Sequence, residues 1–251
     1  MTNMLRLCKA EFIKYAHEIR CYYPDQLVGI IVTVIMFALF LLLNGSRTES
    51  AFIGFVYWYL LSSVISEAAV SISAEKQMGI LDQLIIKPFP FEWLILARTF
   101  SWLIVNLLKV VVVSCILSVL LRVPLSFNGQ YLGIFLITVV GVFGFTLLLV
   151  GLTLKYTKTA SFDSIISYAL LFFTGAILPA EQMPAWATFL GAGLPITKGI
   201  EMTRSLALGG AVTGFDYGVL AVQSLFFFAV GYGIFYAVYA SGKKSGLDRR
   251  Y

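Results

Sequence analysis

Two charged side chains fall inside apolar stretches of this sequence: Glu67 near the far end of one, and Lys109 close to the middle of another. A lone charge at the centre of a bilayer costs roughly 2.5–3.5 kcal/mol on insertion scales, so each needs a partner or water. A Glu67–Lys109 pair, a wetted cavity or a polar contact between packed helices would each answer that need. None of these is catalytic chemistry, and the usual reactive sets are missing. His17 is the single histidine, and the three cysteines (Cys8, Cys21, Cys115) have no zinc-like spacing and suggest no disulfide framework. Paired histidines, His-Glu clusters, a usable serine triad and a phosphate-cradling glycine loop do not occur, so neither catalysis nor ATP binding by this chain is expected. No metal or other cofactor is expected to bind it.

The second cluster of polar chemistry is Glu75-Lys76-Gln77-Met78-Gly79-Ile80-Leu81-Asp82-Gln83-Leu84-Ile85-Ile86, followed by Lys87-Pro88-Phe89-Pro90. Wound at 100° per residue, Glu75, Lys76, Gly79, Asp82 and Gln83 share one side, and Met78, Ile80, Leu81, Leu84 and Ile85 share the other. Pro88 and Pro90 forbid continuation. This spacing predicts one short amphipathic helix over 75–86 whose apolar side needs a surface, either headgroups or a soluble partner. Docking on a partner is the preferred reading, with Glu75 and Lys76 as charged contacts that set its register.

The elements that must position these residues are membrane spans. The chain has 251 residues, 59% hydrophobic and only 12% charged, with a mean hydropathy of +0.89. A soluble domain carries about a quarter charged residues. Six spans are predicted, at 27–43, 51–72, 100–121, 131–154, 165–178 and 219–240. Residues 1–26 have no signal-peptide h-region and read as an amphipathic helix lying in the interface plane. Leu5, Cys8, Phe12, Tyr15, Ala16 and Ile19 form its apolar arc, while Arg6, Glu11, Lys14 and Glu18 face away. The fold class is therefore an all-α integral membrane protein, a single domain over 1–251.

Lys and Arg fix the orientation. With both termini inside, thirteen of the eighteen fall on the cytoplasmic side, Lys109 lies within the membrane, and Arg47, Arg122, Lys198 and Arg204 lie outside. That asymmetry makes the 74–90 segment cytoplasmic. The outer segment 179–212 holds Pro179, Pro184, Trp186, Pro195, Glu201 and Arg204. It reads as short re-entrant helices buried against protein, capping the bundle. Phe55, Trp58, Tyr59 and Ser62 in the second span, with Tyr168, Phe172 and Phe173 in the fifth, are either packing residues or the lining of a pathway.

In order and spacing, these features resemble the membrane subunits of type-2 ATP-binding-cassette exporters. The resemblance rests on the interfacial helix and six spans, on Glu75-Lys76…Gly79…Leu81…Leu84…Pro88, and on Pro179…Pro184-x-Trp186…Pro195…Glu201…Arg204. The family's glycine-threonine is Gly79-Ile80 here. The resemblance implies a permease half in a bacterial or archaeal cytoplasmic membrane, dimeric with itself or a similar subunit. It would be driven by two separate ATPase subunits that bind ATP and Mg. The 74–90 segment would be the coupling helix seated on the ATPase, and spans two and five would line the route. Competing classes are a secondary carrier, an intramembrane enzyme, and an immunity or sensor protein without transport. No internal repeat or matched pair of broken spans supports the carrier.

Overall fold

The computed structural model describes residues 2–44, 48–85, 91–121, 129–156, 160–177 and 183–245. Among these, the chain is helical throughout, with ten helices in the order α1 (Thr2–Cys21), α2 (Tyr23–Asn44), α3 (Thr48–Gln77), α4 (Ile80–Ile85), α5 (Phe91–Leu121), α6 (Gly129–Lys155), α7 (Ala160–Phe173), α8 (Ala185–Ala192), α9 (Pro195–Ala207) and α10 (Gly214–Ser245). Four helices, α3, α5, α6 and α10, are each long and apolar enough to cross a bilayer. The α1–α2 pair, bent by 80° at Tyr22, supplies a fifth candidate. Pro24 lies in the first turn of α2, where its missing N–H would have no intrahelical partner in any case.

The predicted fifth span, 165–178, is not built as a single crossing helix. In its place α7 begins earlier, at Ala160, and ends at Phe173 after 14 residues. Gly175 then takes φ +69°, which ends the helix in a left-handed turn. A rise of 1.5 Å per residue gives α7 about 21 Å, short of a hydrocarbon core of roughly 30 Å. The described residues thus hold four or five candidate spans rather than six.

The most intimate packing joins α6 to α10. A Cβ on Gly144 would strike the backbone of Phe228, and one on Gly231 would strike the carbonyl of Gly144. Small residues at both positions let the two backbones touch, which is how membrane helices gain dispersion energy where lipid removes the hydrophobic drive. Phe143 stacks on Phe228 at 6.0 Å beside this contact.

At one end of the bundle, α4 is pulled into a core formed by α1, α3, α5, α6 and α10. Leu81 and Leu84 are buried there with Tyr15, Ile72, Phe91, Ile95, Trp102, Leu154 and Phe235. At the other end, α9 packs into a second core through Ile196 and Ile200. Thr213 and Asp216 close the start of α10 reciprocally. The Thr213 N–H donates to Asp216 Oδ2 at 3.1 Å, and the Asp216 N–H donates to Thr213 Oγ1 at 3.4 Å.

Candidate functional site

The polar chemistry gathers in two places along α3, one at its last residues and one a few turns earlier. At the C-terminal end the predicted single helix over 75–86 is two helices. α3 runs through Glu75 and Lys76 to Gln77, and Met78 and Gly79 turn the chain into the six-residue α4. Gly79 has φ +66°, a conformation that costs an L side chain energy and that glycine adopts freely. Its N–H donates to the Lys76 carbonyl at 3.1 Å, closing the turn.

That break changes what each predicted docking residue does. Glu75 and Lys76 are buried within the chain, not presented to solvent. Glu75 accepts from Arg98 of α5, and its other carboxylate oxygen accepts from Lys14 of α1 at 3.4 Å. Arg98 Nε also donates to Glu11 at 2.9 Å, so one guanidinium joins α1, α3 and α5. Lys76 Nζ donates to the Leu154 carbonyl at 2.9 Å, where α6 leaves its last carbonyls without helical partners. Leu81 and Leu84 face the chain's own core, so they offer nothing to a partner. Met78, 63% exposed at the apex of the turn, and Gln77 and Gln83 beside it form the outward surface. The side chain of Asp82, and Pro88, lie outside the described residues.

The interfacial helix is corrected in the same way. Glu11 and Lys14, read as facing away from the apolar arc of the helix, pair with Arg98 of α5 and Glu75 of α3, because α1 packs alongside those helices. Arg98, which carries this junction, has no distinguishing signal in the sequence beyond a lone arginine early in a long apolar helix. The pattern Glu11-x-x-Lys14 on α1 is the one trace of its partners.

Higher on α3, Glu67 Oε2 lies 3.9 Å from Lys109 Nζ, at the edge of ion-pair range. Both line a cavity of about 410 Å³ between α1, α2, α3 and α5. The two charges thus lie near each other and face the same space. Tyr59 lines the same cavity, while Ser62 is half-buried on α3 outside it. Phe55 is buried, 4.5 Å from Phe37 and stacked on Tyr59 at 6.0 Å between ring centroids. Trp58 Nε1 donates to the Ser167 carbonyl at 2.8 Å, tying α3 to α7. Phe55 and Trp58 are therefore packing residues. Tyr168 is exposed, and Phe172 packs tilted on Trp186 of α8 at 6.2 Å while Phe173 meets it edge-on at 5.9 Å.

At the N-terminal end of α3 the outer segment forms two short helices, α8 and α9. Pro184 immediately precedes α8, and Pro195 opens α9 as its first residue. Glu201 points to solvent or lipid, while Arg204 is buried. Its guanidinium donates to the Ser50 carbonyl at 3.0 Å, to Gly175 at 2.7 Å and to Ala176 at 2.9 Å. The carbonyls of Gly175 and Ala176 lie beyond the end of α7, where no helix satisfies them, and a membrane offers no water to do so. Burial lowers the Arg204 pKa to about 10, so it remains a cation at neutral pH. Lys198 pairs with Asp216 at 3.0 Å and ties α9 to α10. Pro179 lies outside the described residues.

An all-helical bundle with several apolar crossings, a sharply bent N-terminal helix pair and intramembrane polar groups defines a multi-pass membrane protein. Residues 3–208 match the family described as ABC-2 type transporter, and no curated protein matches the chain. The chain belongs to the ABC-2 type transporter family and is an ABC transporter permease, a membrane component whose family works with ABC ATPases.

Proposed function

We propose that this permease is the substrate-conducting half of an ATP-driven exporter, working as a dimer with two ATPase subunits and moved through the turn between α3 and α4. In this reading the membrane is a bacterial or archaeal inner membrane, and both termini and that turn are cytoplasmic, an orientation that the Lys and Arg asymmetry supports. The crossings number six, with α7 completing its passage through the irregular backbone after Phe173, which Arg204 keeps satisfied.

The observation that carries the proposal is the junction at the end of α3. The turn exposes Met78 and Gln77, and two residues behind it Glu75 is bonded to Arg98 and Lys14. A push on the turn therefore reaches α1 and α5 through charge-assisted hydrogen bonds, which are short and directional. The apolar side of α4 anchors the lever, and Met78 makes the contact. Methionine suits such a surface because its thioether chain adapts to a partner's shape.

The test is a cysteine at position 78 and a cross-linking scan of the co-expressed ATPase. A cross-link should form from position 78 and none from the buried positions 81 and 84. Gly79→Pro should abolish substrate-stimulated ATP hydrolysis while the two subunits still co-purify. Transport by the reconstituted permease without any ATPase, or a turn labelled from outside the cell, would refute the reading.

A further inference from the structure

The cavity at Glu67 and Lys109 is built with an unbalanced charge. Its ionisable carboxylates are Glu18, Asp25 and Glu67, and Lys109 is its one basic group, so it carries two more acids than bases. Lys109 is within ion-pair range of Glu67 and also feels the charge of Asp25, so one ammonium is shared among three carboxylates. The walls between them are aromatic. Lys109 Nζ itself sits 5.9 Å from the centroid of the Tyr15 ring, so the site already holds one ammonium in cation–π geometry. The Tyr15 hydroxyl is buried at the inner end of the cavity beside Glu67 and Asn106. At 410 Å³ the space suits the head of a small organic molecule. One wall is apolar and leads outward, through Ile30 and the exposed Val70, to the lipid-facing side of α2 where Leu27 and Ile31 are also exposed.

We propose that this cavity is a binding site for the cationic head of an amphiphile, with the ammonium held among Asp25, Glu18 and Glu67 and the tail lying along α2 in the bilayer. The proposal deepens the transport reading by naming the chemistry of a cargo, and it rests on that reading only for the word cargo. The site itself needs no ATPase. Two sources share the chemistry, a diffusible organic cation and the amine head of a membrane phospholipid.

The experiment is fluorescence anisotropy of rhodamine 6G added to the purified full chain in phosphatidylcholine nanodiscs, with fluorescein as an anionic dye of similar size. Rhodamine 6G should bind saturably and fluorescein should not. The double variant Asp25→Asn/Glu67→Gln should weaken rhodamine binding by roughly tenfold or more, the effect of losing two nearby opposite charges. Glu18→Gln, at an exposed position, should weaken it by about two- to threefold and keeps the test decisive if the double variant does not fold. Lys109→Met removes the competing internal cation and should leave binding intact or tighten it. The site would be overturned if rhodamine failed to saturate, if the carboxylate variants bound as the parent does, or if Lys109→Met abolished binding while the parent preferred fluorescein. Repeating the titration in phosphatidylethanolamine nanodiscs separates the sources. Weaker dye binding there assigns the site to a lipid amine, and unchanged binding assigns it to a diffusible cation. Because no ATPase is present, loss of this site would leave the proposed coupling untouched, and failure of coupling would leave the site.

Discussion

The first residues of α3 are held by a single guanidinium donating to three backbone carbonyls, whereas its last residues sit among two acids and two bases from three helices. Arg204 binds main chain, so it fixes where α7 ends and how α9 lies against α3. Arg98 binds side chains, and Glu11, Glu75 and Lys14 can each shift a rotamer and keep a partner. One end of the helix is a clamp and the other a joint. In the reading proposed above, in which force enters at the α3–α4 turn, that order puts give where the force enters and rigidity at the far side.

The comparison can be broken first at the clamp. Arg204→Met should destabilise the protein by about 4 kcal/mol, read as a fall in thermal unfolding midpoint in detergent, because two buried carbonyls and one part-buried carbonyl lose a charged donor together. Arg204→Lys should recover only part, since an ammonium cannot match a planar fork aimed at three oxygens. At the joint, Arg98→Met should cost about 3 kcal/mol, less than the clamp because Lys14 still partners Glu75. Equal losses at the two ends would erase the distinction between clamp and joint.

Smaller effects sharpen it. Gly79→Ala should cost about 1 kcal/mol through its positive φ alone, and it should reduce ATPase stimulation more than stability. The smallest effect belongs to the Glu67–Lys109 pair. Its separation of 3.9 Å at the edge of a cavity implies a double-mutant coupling below about 1 kcal/mol between Glu67→Gln and Lys109→Met. A coupling well above that would move this pair from a loose contact in a cavity to a structural bond like the one at Arg98.

Much of the architecture was legible in the residues. The apolar runs around 51–72, 100–121, 131–154 and 219–240 lie within α3, α5, α6 and α10, because twenty apolar residues in a row leave the backbone little choice but to satisfy itself as a helix. Glu67 and Lys109 were visible as costly charges that had to meet a partner or water. Gly79 was visible too, but a 100° projection treats every residue as helical, and it carried the pattern straight through a glycine whose place is a left-handed turn. The apolar run at 165–178 likewise placed the fifth helix five residues late, past the left-handed turn at Gly175.

What hydropathy and residue order settle by themselves is therefore one-dimensional: a polytopic helical membrane protein of the ABC-2 type transporter family. Which polar groups meet was decided only by tertiary packing. An amphipathic pattern assumes lipid below a helix and water above it, and α1 has α5 and α3 beside it as well. Glu11 and Glu75 thus look like outward-facing charges in a linear reading and become partners of buried Arg98, with Lys14 pairing to Glu75, once three helices converge. Pairing energy depends on a distance between atoms far apart in the chain, and the order of residues does not contain that distance.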